Sequence, residues 1–171
     1  MIYFARHGQT DADKQNRFNG GIDLDLNETG IEQAQKLKDK LSGIQFDAVF
    51  CSPQKRAVQT CEIATGKYVI DNRLTELNCG NFDGKKRNAI SKLRFLISLK
   101  RGKNGVERLE LFTARNVEFC EKVLRGLTGN VLIVSHHGNA SAFDFYFKGK
   151  PKKYNFTKRI VENGELLTFE F

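Results

Sequence analysis

The chain has 171 residues, 40% hydrophobic and 28% charged, enough to bury a core in one domain without metal or disulfide staples. No apolar run approaches the roughly 20 residues that cross a bilayer, and the start, Met1-Ile2-Tyr3-Phe4-Ala5-Arg6, lacks the basic and long apolar stretches of an export signal. The net charge of +8 favours anionic partners without saying which.

Ile2–Arg6 reads as a first strand, closed by His7 and Gly8. Thr29 and Glu32 then form a capping-box pattern, and Ile31, Ala34, Leu37 and Leu41 recur at helical spacing. Asp47–Cys51 predicts a second strand. Ser52 followed by Pro53 reads as an N-cap with proline at the first helical position, opening a helix to about Thr65. Lys67–Ile70 predicts a third strand. Ile90, Leu93 and Ile97 suggest an amphipathic helix inside residues 85–103, a stretch with eight Lys or Arg and no acid. Leu109, Phe112, Asn116, Phe119, Val123 and Leu127 track a mostly apolar helical stripe. Val131–Ser135 is apolar on both faces, as a central parallel strand should be. A helix is expected after Gly138 and a last strand over Leu166–Phe171. A second basic cluster runs through Lys148, Lys150, Lys152, Lys153, Lys158 and Arg159.

Strands alternating with helices predict an α/β fold: a three-layer sandwich with a mainly parallel central sheet, flanked by helices, with a short cap insertion. Residues 1–171 read as one domain, with 85–104 as a basic cap or rim. Cys51, Cys61, Cys79 and Cys120 show neither Cys-x-x-Cys nor zinc spacing, which reads as buried, reduced thiols of a cytoplasmic protein.

The chemistry-bearing residues fall at predicted strand ends. Arg6 and His7 close the first strand, Arg56 lies early in the helix after Cys51, Glu76 follows the third strand, and His136 ends the Val131–Ser135 strand. In a parallel sheet these ends converge on the edge where open α/β sheets bind ligands. Taken singly, each could be a structural residue; together they suit phosphoryl transfer. Arg6 and Arg56 could clamp a phosphate dianion bidentately. The predicted helix start at Ser52-Pro53 would add backbone N–H groups. His136 could donate a further hydrogen bond, His7 could be the covalent nucleophile, and Glu76 could give a proton to the leaving oxygen.

At this point the chain resembles the histidine phosphatase superfamily, also called phosphoglycerate mutase-like. Arg6-His7-Gly8-Gln9-Thr10 is similar to its nucleophile signature, and Arg17-Phe18-Asn19-Gly20 with Leu26-Asn27-Glu28-Thr29-Gly30 to the loop and helix entrance that follow. Cys51 to Thr60 resembles the second-arginine motif, Arg73 to Gly84 the acid-bearing motif, and Val131 to Gly138 the final histidine motif. The resemblance implies a phosphorylated His7, phosphate held by Arg6, Arg56 and His136, Asn19 and Gly20 on the phosphate loop, and Glu76 as acid and then base. His137 is the minor alternative to His136 as phosphate ligand. The resemblance implies a metal-independent, acid-type phosphatase without cofactor. Three positions depart from the family pattern: Asp13 for an asparagine amide, Arg108 for a serine, and His137 for a glycine.

The short Gly84-to-Val131 interval favours hydrolysis over mutase-type transfer, the alternative reading. The substrate is expected to be a small-molecule or protein phosphomonoester; nucleic acid and membrane are not expected as partners. A non-catalytic anion or nucleic-acid binder on the same scaffold is the non-enzyme rival, motivated by the basic segment. A cysteine phosphatase is disfavoured, because only four residues separate Cys51 from Arg56. The motifs encode neither leaving group nor oligomeric state.

Overall fold

The computed structural model describes residues 1–149 and 161–170. Five strands, β1 (Ile2–Arg6), β2 (Ala48–Cys51), β3 (Val69–Ile70), β4 (Val131–Ser135) and β5 (Leu166–Phe169), form one sheet in the order β3-β2-β4-β1-β5. β1 and β2 both run parallel to β4, and β3 runs parallel to β2. β5 pairs with β1 antiparallel, so one edge departs from the parallel pattern. Most of the second basic cluster lies outside the described residues, as does Phe171.

Helices α1 (Asp11–Lys14), α2 (Glu28–Leu41), α3 (Lys55–Ala64), α4 (Ala89–Arg101), α5 (Leu109–Lys122) and α6 (His137–Lys148) complete the chain order. Alternation along β4 sorts the core into two layers. Val131 and Ile133 pack with Phe119, Leu124 and Phe143 from the α5 and α6 side. Leu132 and Val134 pack with Leu37, Leu41, Ala57 and Cys61 from α2 and α3. All five β4 residues are buried, which accounts for the unbroken apolar run in the sequence. A third cluster lies apart from these, joining Phe18, Leu77, Phe82, Phe95, Leu99 and Phe112.

Two helix starts differ from expectation. The N-cap of α2 is Asn27, not Thr29; its Oδ1 accepts from the Gly30 N–H at 2.9 Å. The β1–α1 loop crosses this first turn so closely that a Cβ on Gly8 would lie 2.3 Å from the Gly30 carbonyl oxygen. α3 starts at Lys55 with Gln54 as N-cap, so Ser52 and Pro53 precede the helix. The Ser52 side chain is committed elsewhere, to His136, as described below.

Candidate active site

β1 and β4 run in register with Arg6 opposite Ser135, so His7 and His136 leave the same sheet edge on neighbouring strands. Their ring centroids are 5.0 Å apart, and both side chains are almost fully buried. His7 Nδ1 lies 2.6 Å from the Gly8 carbonyl oxygen. A carbonyl can only accept, so Nδ1 carries the proton and donates it there. Burial, and then the Arg56 charge, pull the His7 pKa down to about 3, with Asp13 opposing and Arg6 assisting. The ring is therefore neutral near pH 7, and its Nε2 holds an unprotonated lone pair. Nε2 of His136 sits 2.7 Å from Ser52 Oγ, and its buried Nδ1 has no partner among the described residues. Burial and the Arg56 charge hold its pKa well below the usual imidazole value.

His7 opens onto a cavity of about 90 Å³ that is also lined by Arg6, Asp13, Asn19, Glu76, Arg87 and His137. The Glu76 carboxylate is held from both sides: Oε1 accepts from Leu77 N–H at 2.7 Å and Oε2 from Gly138 N–H at 3.2 Å. The Gly138 donor lies in the first turn of α6, where N–H groups have no helical acceptor. A side chain there would displace the Glu76 carboxylate, since a Cβ at 138 would lie 2.3 Å from Glu76 Oε1.

A family model for the histidine phosphatase superfamily (branch 1) matches residues 2–171. The chain belongs to that superfamily. This histidine phosphatase is 30% identical over 152 residues to "Putative phosphoserine phosphatase 2" of Hydrogenobacter thermophilus, covering 82% of this chain and 75% of that protein. Among solved structures it resembles a "putative alpha-ribazole-5'-P phosphatase" from Escherichia coli, with TM-score 0.80 and 26% identity over 96% of this chain and 87% of the other. It also resembles a phosphoglycerate mutase from Thermus thermophilus, with TM-score 0.73 and 26% identity over 96% and 90% of the two chains.

The phosphatase places the other expected residues unevenly around the cavity. Arg6 and Asn19 line it; Arg56 and Gly20 do not. The Arg56 Nη atoms donate to the carbonyls of Asn19, Gly20 and Ile22 and to Gln54 Oε1, and its buried Nε has no partner among the described residues. The Gly20 N–H donates to Asp83 Oδ1. Arg56 thus braces the 19–22 loop, while its charge still reaches His7. Asp13 pairs with Arg6 at 2.9 Å and accepts from both the N–H and the hydroxyl of Thr10. Burial opposes its ionisation, but His7, Arg6 and the Thr10 donors hold its pKa down at about 2. Arg108 stands at the N-cap of α5 without a side-chain cap, and pairs instead with exposed Glu110.

Cys51 sits in the core rather than in the cavity, with its thiol pKa pushed far up by its contact with Cys61 and by burial. That removes the cysteine-nucleophile rival.

Three residues escaped the sequence reading. Gln54 donates to the Gly20 carbonyl at 2.7 Å and accepts from Glu76 N–H at 2.9 Å, so it ties the 19–22 loop to the Glu76 segment. Arg115 pairs with Glu107 and donates to the carbonyls of Arg73, Thr75 and Glu76. Arg87 lines the cavity and also a groove of about 490 Å³ beside it, with Phe18, Leu77, Lys92, Phe95 and Leu96. Gln54 lies within a motif the sequence shows, but its hydrogen bonds span 22 and 34 residues and have no local signal.

Proposed function

We propose that this histidine phosphatase hydrolyses phosphomonoesters by passing the phosphoryl group through Nε2 of His7. The supporting observation is the Nδ1–H bond to the Gly8 carbonyl, which leaves Nε2 as a lone-pair nucleophile at the cavity wall. In the first step Nε2 forms a bond to phosphorus, the bond from phosphorus to the ester oxygen breaks, and Glu76 gives that oxygen its proton. In the second step the Glu76 carboxylate takes a proton from water, the water oxygen bonds to phosphorus, and the N–P bond returns its electron pair to Nε2. Inorganic phosphate is released.

Arg6, the Arg56 charge and His136 oppose the negative charge spread over the phosphoryl oxygens. In the tautomer in which Ser52 donates to Nε2 of His136, the unpartnered Nδ1–H of that ring is a donor that one phosphoryl oxygen would satisfy. The guanidinium groups supply the charge a metal provides elsewhere, so turnover should survive chelators. His137 and Asn19 contact the substrate from the remaining walls.

The groove suits a small leaving group with an apolar part, against Phe18 and Phe95, and an anionic part facing Arg87 and Lys92. The relatives' names point to phosphoserine and to a ribazole 5'-phosphate as first compounds to try. Mutase-type transfer is the second reading. It is favoured by local matches such as 46% identity over 61 residues to the phosphoglycerate mutase of Nautilia profundicola.

A monoester screen with chelator present, comparing wild type with His7→Ala, tests both readings. Hydrolysis predicts phosphate release from several monoesters, loss of turnover in His7→Ala, and an acid-labile phosphoenzyme in wild type alone. Turnover by a well-folded His7→Ala protein would sink the proposal. Phosphoryl transfer between phosphoglycerates outpacing phosphate release would favour the mutase reading.

A further inference from the structure

Helix α4 is apolar on two sides. Phe95 and Leu99 point into the cluster around Phe18, Phe82 and Val106. The opposite side presents Ile90, Leu93 and Ile97, which are 66%, 62% and 46% exposed. Their spacing of three and four residues makes one continuous stripe. At 100° per residue, Arg94 and Arg101 lie along one border of the stripe and Lys100 along the other, all exposed. Lys85, Lys86, Lys92 and Lys103 are exposed on the same segment.

The charge is concentrated as well as positive. Residues 85–103 hold eight Lys or Arg and no acid, while the rest of the chain carries 20 of each sign. The whole net charge therefore sits on this helix and its flanks.

An aliphatic stripe bordered by long cationic side chains matches a surface that is apolar beneath a negative layer. Lys and Arg stems can lie along the apolar zone while their heads reach anionic groups. A second copy would bring the same cations face to face, since a two-fold contact pairs a patch with itself. A polynucleotide would meet the cations but leave three aliphatics against phosphates. We propose that α4 is a docking face for an anionic lipid bilayer, with Ile90, Leu93 and Ile97 entering the headgroup boundary and the surrounding Lys and Arg meeting lipid phosphates. No helix among the described residues is long and apolar enough to cross a membrane, and surface docking requires none. Lys92, Phe95 and Leu96 also wall the groove, so docking sets the groove beside the bilayer.

Vesicle sedimentation of the full chain tests this, using phosphatidylcholine vesicles with and without phosphatidylglycerol. Wild type should bind the anionic vesicles about tenfold or more better than the neutral ones, and added salt should weaken binding. The triple substitution Ile90→Ser, Leu93→Ser, Ile97→Ser should lower partitioning about tenfold while leaving p-nitrophenyl phosphate turnover unchanged. Arg94→Glu with Arg101→Glu, which keeps the aliphatics, should lose binding comparably. Three results would each overturn the proposal: no binding to anionic vesicles, full binding by the triple variant, or a polynucleotide that outcompetes the vesicles. A concentration-dependent dimer abolished by the triple substitution would also overturn it, by making a second copy the occupant.

Discussion

Moving the protein from pH 7.5 to pH 4.5 should remove about 3 kcal/mol of folding stability through the His7 imidazole, with His136 adding in the same direction. His7 and His136 are both buried, with pKa values held below the ordinary 6.5, about 3 in the case of His7. At pH 4.5 the folded protein keeps the His7 ring neutral and disfavours protonation of His136, whereas the unfolded chain protonates both. The unfolded state thus binds more protons, and stability falls as pH drops below about 6.5. Two pH units at ~1.4 kcal/mol each give about 3 kcal/mol for His7, and the lowered His136 adds to it. The buried Asp13 carboxylate lies below this window. Asp13 has its pKa lowered from 3.8 to about 2, so its contribution is present above the unfolded value and is lost only as pH falls toward 2.

With a urea m-value of about 2 kcal/mol per molar, the denaturation midpoint should drop by at least about 1.5 M. The assay is urea unfolding at both pH values, at fixed ionic strength in phosphate-free buffer. His136→Gln, which can keep the Ser52 hydrogen bond but cannot titrate, should show a smaller drop. A midpoint that stays level between the two pH values would refute the reasoning, as would an unaltered drop in His136→Gln.

Three further outcomes follow from the site. Asp13→Asn removes a carboxylate from the cavity wall and frees part of Arg6, so inorganic phosphate should bind about tenfold tighter by calorimetry, a gain of ~1.4 kcal/mol. Unchanged or weaker binding would show that Asp13 does not oppose the anion. Gly138→Ala should push the Glu76 carboxylate aside and cut kcat on the order of 100-fold with little change in KM. Alkyl phosphates should suffer more than p-nitrophenyl phosphate, whose departure needs little proton help; steady-state kinetics on both separates the cases. Arg115→Ala strips donors from the carbonyls of Arg73, Thr75 and Glu76 and should cost about 2–3 kcal/mol in urea unfolding. A loss of less than about 0.5 kcal/mol would mean that water replaces the guanidinium.

Sheet and layers were legible because β4 is buried on both faces, and an unbroken run such as Val131–Val134 suits a central parallel strand far better than an edge or a loop. The position of His7 and His136 at one edge followed from parallel strands in register. The helix starts were less legible. Asn27 and Thr29 are both competent caps, and the choice falls to Asn27 where the β1–α1 loop presses against Gly30. Ser52-Pro53 has the composition of a helix start, yet Ser52 Oγ is engaged by His136, 84 residues away. The stripe from Leu109 is helical only to Lys122; Leu124–Gly126 tightens into a 3-10 turn. Arg56 shows most clearly where local reading stops. Residue type argued for a phosphate clamp, but the carbonyls of Asn19, Gly20 and Ile22 lie close enough to claim most of its donors. Nothing in the neighbouring sequence records that.

Gln54 spends its amide nitrogen on one loop and its amide oxygen on another, and so acts as a rivet between the Gly20 backbone and the Glu76 backbone. Neither partner can shift without dragging the other. Evolutionary drift toward new leaving groups would therefore be channelled away from this joint and into the groove wall that α4 supplies.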